Sequence, residues 1–265
     1  MAGFERYLEI GDEMLKALIF DVDGTLADTE RDGHRVAFNR AFAAEGLPVV
    51  WDEALYGRLL AITGGKERLL HFFTHVRPDL RPAGDLDALI RHLHARKTDI
   101  YSDLLNTEGV PLRPGIRRLL SEARDRGLRL AIATTTTEKN LEPIWAALGP
   151  GARGWFHTVG AGDCVAAKKP APDVYEYVLA GLGLPAGECL AFEDSENGLR
   201  AATGAGLDTV VTVTDYTRTQ DFSAALLVVD HLGEPDRPMT RLSGAAFAGG
   251  MLDVDALMAL KAARA

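Results

Sequence analysis

Asp21-Val22-Asp23-Gly24-Thr25-Leu26 follows directly on the apolar run Leu15–Phe20. In open α/β sheets ligands gather beyond the carboxyl ends of strands, and a strand ending at Phe20 would hold both carboxylates there. An Asp–x–Asp pair can divide labour, one carboxylate attacking as nucleophile while its neighbour acts as general acid and base. Gly24 lets the backbone turn tightly behind them. An acidic turn closing a strand would carry the same residues, so three later stretches decide. Leu128–Ala133 runs into Thr134, Thr135, Thr136 and Thr137, hydroxyls suited to a phosphoryl oxygen or merely an extension of the strand. Thr134, first after the apolar run, is the expected contact. Lys168-Lys169-Pro170-Ala171-Pro172-Asp173 then sets a cation ahead of a helix. Lys169 can neutralise a carboxylate nucleophile and a transferring phosphoryl group together, while Lys168 reads as a solvated charge. Finally Cys189–Phe192 ends in Glu193-Asp194-Ser195, a helix cap or a pair of carboxylates of the kind Mg²⁺ prefers. Asp194 with Asp21 and the main-chain carbonyl of Asp23 would make such a metal site.

Positioning these groups requires strands that alternate with helices, the pattern of an α/β protein with a parallel sheet. Leu15–Phe20, Leu128–Ala133, Trp155–Val159, Cys189–Phe192, Thr209–Val213 and Leu226–Val229 read as strands. Helices are expected over Gly115–Arg126, Asp173–Gly181 and Glu196–Ala205, the first and last stopping at Gly127 and Gly206. Between the first two strands lies a block with no clear strand and helical spacing over His34–Glu45, Arg68–His75 and Leu86–Leu105, with a loop at Arg77–Asp85. About 80 residues are too many for an ordinary strand–helix connection. Residues 28–107 therefore read as an inserted helical domain, and 1–27 with 108–265 as a Rossmann-like α/β core. The hinges fall near Ala27–Thr29 and Glu108–Pro114. The tail from Gly233 is weakly patterned, although Val254–Lys261 could close as a last helix.

Composition sets outer limits. The chain has 265 residues, 47% hydrophobic and 25% charged, ordinary for a soluble enzyme. A mean hydropathy of −0.02 and the lack of an apolar run near 20 residues argue against a transmembrane helix. Glu5, Arg6, Glu9, Asp12 and Glu13 stand where a secretory signal needs its apolar stretch. Cys164 and Cys189 are too few for a disulfide scaffold, so a reducing cytoplasm is the expected location. A net charge of −9 argues against nucleic acid as a partner. It also looks hostile to an anionic substrate, until several of the acids are read as catalytic groups working through Mg²⁺.

Carboxylates, hydroxyl, lysine and carboxylates in that order resemble the haloacid dehalogenase superfamily of phosphotransferases over nearly the whole chain. The resemblance implies that Asp21 is phosphorylated and that Asp23 protonates the leaving group, then activates water. It implies that Thr134 and Lys169 hold the phosphoryl group, and that Asp21, Asp23, Glu193 and Asp194 serve Mg²⁺. The helical insertion resembles the family's cap, as in its β-phosphoglucomutase-like branch. DVDGTLADTE (Asp21–Glu30), TGGKERL (Thr63–Leu69), KKPAPDVY (Lys168–Tyr175), EDSENGLRAATGAG (Glu193–Gly206) and YTR (Tyr216–Arg218) are similar to CbbY-type proteins. Those are sugar-bisphosphate phosphatases of the Calvin cycle, selective for xylulose 1,5-bisphosphate. Thr29–His34 is one residue longer than in these relatives.

A bisphosphate needs cations for its second phosphate, and Lys66 and Arg68 beside Gly64–Gly65 would supply them, unless the glycines form a plain loop. Glu30 and His34 stand where the chain leaves the core and would meet sugar hydroxyls; Arg218 would reach in from the last loops or form a salt bridge. The expected partner is thus a small phosphorylated sugar, with no obligate protein partner and no membrane. A phosphomutase, or a phosphatase for another small sugar phosphate, would keep the same core residues. A binding protein on this fold would be expected to lack Asp21 or Asp23, and a phosphonatase would use Lys66 as a Schiff base.

Overall fold

The computed structural model describes residues 15–264; the acidic stretch Met1–Glu13 and Met14 lie outside the described residues. β1 (Ala17–Phe20) is the central strand. After it the chain makes a π-helical turn at Glu30–His34 and then α1 (Arg35–Ala44), α2 (Glu53–Leu59), α3 (Gly65–His71) and α4 (Leu86–Glu108). It returns through α5 (Ile116–Asp125), β2 (Arg129–Ala133), α6 (Glu142–Leu148), β3 (Phe156–Gly160) and α7 (Asp173–Leu182). β4 (Cys189–Glu193), α8 (Glu196–Gly204), β5 (Asp208–Thr212), β6 (Leu227–Val229), β7 (Arg241–Gly244) and α9 (Val254–Ala262) complete it.

The sheet order is β3-β2-β1-β4-β5-β6-β7, parallel except for β7. The chain builds one half outward from β1 and then the other, so the order reverses between β1 and β4. Such a reversal opens a crevice at the strands' carboxyl ends. The strands are apolar on both faces because helices cover both. Leu18 and Phe20 face the cluster that holds Leu119 and Leu120 of α5, Ile144 of α6 and Leu257 of α9. Ala17 and Ile19 point the other way, against Val174 and Val178 of α7 and Ala201 of α8.

The helical block from Glu30 to Glu108 has a core of its own, in which Trp51 is fully buried among Phe38, Phe42, Tyr56, Phe72 and Leu93. Its two connections to the sheet run side by side: the Asp28 N–H donates to Pro111 O at 3.0 Å and the Arg113 N–H to Leu26 O at 2.9 Å.

Several elements differ from the reading of periodicity. Arg68–His75 divides into α3 and a π-helical turn at Phe72–Val76. α6 was hidden by Pro143, which sits in its first turn, where a missing N–H costs nothing. α2 is only seven residues long and starts at the Asp52 carboxylate, which accepts from the Leu55 N–H at 2.7 Å. The tail beyond Gly233 is structured: β7 pairs antiparallel with β6, and Met239, Leu252 and Leu260 join the main core. Tertiary contact orders that tail, since Arg118 of α5 donates to the carbonyls of Leu232, Gly233 and Leu252.

Removing the centre of the insertion's core tests its importance. Trp51→Ala is expected to cost about 3–5 kcal/mol in urea unfolding. A loss below about 1 kcal/mol would mean the aromatic cluster does not organise that block.

Candidate active site

β1 stands between β2 and β4 in one register, with Phe20 opposite both Ile132 and Phe192. The next residue on each strand therefore arrives level: Asp21, Ala133 and Glu193. Lys169, brought in ahead of α7, inserts its ammonium into this row. Its Nζ donates to Asp21 Oδ1 at 2.7 Å, Ala133 O at 2.8 Å and Glu193 Oε1 at 2.5 Å. Thr134 is buried beside them, its hydroxyl oxygen accepting from the Thr136 N–H at 3.2 Å. Gly24, at φ +89°, is required where it stands, because a Cβ there would lie 2.2 Å from Asp194 Oδ2.

Asp21, Glu193 and Asp194 each offer a carboxylate oxygen within 4.8 Å of the others, and all three are buried. Burial, with Glu193 and Asp23 adding and Lys169 opposing, pushes Asp21 up to about 8. Burial and then the charges of Asp21 and Glu193 hold Asp194 well above the usual carboxylate range. Three buried carboxylates against one ammonium leave negative charge to be balanced, and hard oxygen donors in such a set fit a divalent cation such as Mg²⁺. The Asp23 side chain is not in this cluster and points to the other wall, which leaves its main-chain carbonyl as the ligand expected from that residue.

That wall is the helical block. Asp23 Oδ1 accepts from Thr29 Oγ1 at 2.5 Å and lies 2.9 Å from His34 Nε2. The other ring nitrogen of His34 is 2.5 Å from Lys97 Nζ, and its ring stacks on Tyr101 with centroids 4.0 Å apart. Burial would raise the Asp23 carboxyl, but His34, Thr29 and Lys97 outweigh it and keep it below the usual range. Burial brings Lys97 down to about 8, against the pull of Asp23 and Glu30. In the π-helical turn the His34 N–H reaches back five residues to Thr29 O, at 2.8 Å. Glu30 and His34 consequently line one cavity.

Glu30 Oε2 accepts from the Tyr56 hydroxyl at 2.5 Å, and Arg68 Nη1 donates to that hydroxyl oxygen at 3.1 Å. Arg68 is buried and opens on the same space as Asp21, Asp23, Thr134, Lys169 and Asp194. Lys66 instead crosses to the core and pairs with Asp163 at 2.6 Å. Lys168, read as a solvated charge, joins it: Nζ is 2.9 Å from Asp163 and 3.6 Å from Glu67. Arg218 does not reach this space. It pairs with Asp215 at 3.4 Å and opens on a hinge-side pocket with Arg113 and Asp230, because the carboxylate three residues earlier holds it there. Two cavities that share Asp23, Glu30, Gly64, Arg68 and Thr135 lie between core and helices, with volumes of about 90 and 50 Å³.

Thr29, Tyr56, His94, Lys97 and Tyr175 were not singled out in the sequence. Lys97 did carry a signal, since it sits on the apolar stripe Leu93, Tyr101, Leu104, where a lysine must have buried partners.

A carboxylate at the sheet's switch point, with its lysine, hydroxyl and acidic pair, defines a class of enzyme. The chain belongs to the haloacid dehalogenase-like hydrolases, whose family model matches residues 15–206, and it is a phosphatase. Within that family it is of the CbbY type. It is 53% identical over 226 residues, 85% of this chain and 89% of the relative, to the plasmid-encoded protein CbbY of Cupriavidus necator. It is 45% identical, at a TM-score of 0.76 over 82% of this chain and 95% of that one, to the crystal structure of CbbY from Rhodobacter sphaeroides in complex with phosphate. A mutant of that protein in complex with xylulose-(1,5)bisphosphate matches at 44% identity and a TM-score of 0.76, with the same coverage. Among the described residues no helix is long and apolar enough to cross a membrane.

His94 gives a stability test of the cavity's electrostatics. Burial first, then Lys97, Lys66 and Lys168, with Asp163 opposing, lower it from 6.5 to about 4. Between those values the unfolded chain binds the proton and the folded protein does not, so stability rises with pH through that window. The contribution is complete above the unfolded value and is lost as pH falls towards the folded one. His94→Gln is expected to flatten that part of the curve by up to about 3 kcal/mol. An unchanged curve between pH 4 and 6.5 would contradict the assignment.

Proposed function

We propose that this protein is a Mg²⁺-dependent phosphatase that hydrolyses xylulose 1,5-bisphosphate to xylulose 5-phosphate and inorganic phosphate through an aspartyl-phosphate on Asp21. In this reading residues 28–107 are a cap over a core of residues 1–27 and 108–265. The observation that carries it is the division of Asp21 and Asp23 between two surroundings, one gripped by Lys169 and the other by Thr29 and His34. The xylulose-bisphosphate complex of the Rhodobacter relative supports the choice of sugar.

Asp21 attacks phosphorus, the bond to the sugar oxygen breaks, and Asp23 gives that oxygen its proton. Asp23, now ionised, takes a proton from the water that attacks the acyl phosphate. The bond to Asp21 then breaks and phosphate leaves. The low carboxyl pKa keeps Asp23 ionised in the free site, and the negative charge of arriving substrate raises it towards the protonated form that the first step needs. Thr134 and Lys169 hold the phosphoryl oxygens. Asp21, Asp194, the Asp23 carbonyl and Glu193 would hold Mg²⁺, which when bound neutralises charge between nucleophile and phosphoryl group. Lys66 and Arg68 take the second phosphate, Lys66 leaving Asp163 to do so, while Glu30 and His34 meet sugar hydroxyls. The protein works in the cytoplasm and needs neither nucleic acid nor an obligate protein partner.

Phosphate release from a panel of sugar mono- and bisphosphates, with and without EDTA, tests this reading. Xylulose 1,5-bisphosphate should be preferred over ribulose 1,5-bisphosphate, and EDTA or Asp21→Asn should abolish turnover. Activity indifferent to either would sink the mechanism. Conversion of β-glucose 1-phosphate to glucose 6-phosphate with little free phosphate would make the protein a mutase. Lys66→Ala and Arg68→Ala should raise KM for the bisphosphate about 10-fold or more, the scale of a lost charged hydrogen bond, and hardly change it for a small monophosphate.

A further inference from the structure

Tyr175 takes no part in the steps above, yet it is fully buried on α7 with its hydroxyl 2.5 Å from Glu193 Oε1. The same oxygen accepts from Lys169 Nζ at 2.5 Å. Lys169 in turn reaches Asp21 Oδ1 at 2.7 Å. One carboxylate oxygen thus carries both donors. The other, Oε2, lies against α8, where a Cβ on Gly198 would sit 1.9 Å away, and it has only a long contact, 3.4 Å, from the Asp194 N–H. The ring of Tyr175 also lies under the ammonium, with Lys169 Nζ 5.2 Å from its centroid. Burial foremost, and then the charge of Glu193, hold the phenol well above its ordinary pKa, so it stays a neutral donor.

We propose that Tyr175 is a positioning residue: its hydroxyl fixes Glu193 Oε1, which sets the point from which Lys169 reaches the nucleophile and the angle at which the acidic cluster meets its cation. The inference rests on Asp21 being the nucleophile of a phosphatase. A carboxylate held by one donor can swing about its bond to Cγ, whereas two donors on the same oxygen leave a single orientation. Groups one step behind a metal's ligands commonly tune its affinity in this way.

Tyr175→Phe keeps the ring and removes only the hydroxyl. Its kcat on p-nitrophenyl phosphate is expected to fall about tenfold with KM within about twofold, the scale of one hydrogen bond to a charged group. Calorimetric titration of the substrate-free protein should show Mn²⁺ bound about tenfold more weakly. In a Glu193→Ala background the same substitution should change neither quantity more than about twofold, because the oxygen through which the tyrosine acts is gone. Unaltered kcat and Mn²⁺ affinity, or equal losses in both backgrounds, would overturn the proposal and leave Tyr175 a packing residue. The titration involves no sugar and no turnover. Failure of the sugar-phosphatase reading would therefore appear as wild-type protein inert towards sugar phosphates, with the Mn²⁺ comparison still decisive for Tyr175.

Discussion

Lys169 places a buried ammonium between two buried carboxylates, 2.7 Å from Asp21 and 2.5 Å from Glu193, and closes the set on the Ala133 carbonyl. A lone charge at such depth is costly, and removing one partner of a buried pair typically costs about 3–5 kcal/mol. The geometry that satisfies it comes from the sheet, where Phe20, Ile132 and Phe192 share one register and deliver the next residues to the same level. Strand pairing, helix packing on both faces and the reversal of strand order all converge on this row. The same arrangement leaves the acidic side in excess, with Asp21 and Asp194 both pushed upward. A site in that condition fits a divalent cation, whose charge would offset the excess.

Contacts from the helical block differ in strength with their depth. His34 lies between Asp23 and Lys97 and is buried, and hydrogen bonds strengthen as the local dielectric falls. Lys66 and Asp163 are 38% and 60% exposed, and exposed pairs contribute only about 0–1 kcal/mol. Deep contacts of this kind resist disruption, while the rim pair is weakly held. The two blocks keep separate apolar cores, joined by the paired connections at Leu26–Asp28 and Pro111–Arg113.

Much of this was legible in the residues themselves. The strands leading to Asp21, Thr134 and Glu193 are short apolar runs, and the helical character of the long block between the first two was plain from its spacing. What stayed hidden has physical causes. Lys97 matters only once the chain has folded back over Asp23 and lies in no local motif; Thr29 lies within Asp21–Glu30, but its hydrogen bond to Asp23 is made only in the folded turn. The π-helical turn at Glu30–His34 was not legible either, and it sets how Glu30 and His34 both face the cavity. Lys66, Lys168 and Arg218 are the reverse case: a basic residue near a motif gives no sign of which acid it will find. Lys66 and Lys168 meet Asp163, and Arg218 meets Asp215. The order in the tail depends on Arg118, more than 100 residues away in the chain, which no local pattern reveals.

The most direct test of Asp21 as nucleophile is acid quenching of the protein milliseconds after mixing with xylulose 1,5-bisphosphate labelled with ³²P at the 1-phosphate, in Mg²⁺. The account predicts label bound covalently to the protein, labile in base as an acyl phosphate, mapped to the peptide carrying Asp21 and missing from Asp21→Asn. Rapid release of labelled phosphate with no labelled protein at any time, or label surviving in Asp21→Asn, would contradict it.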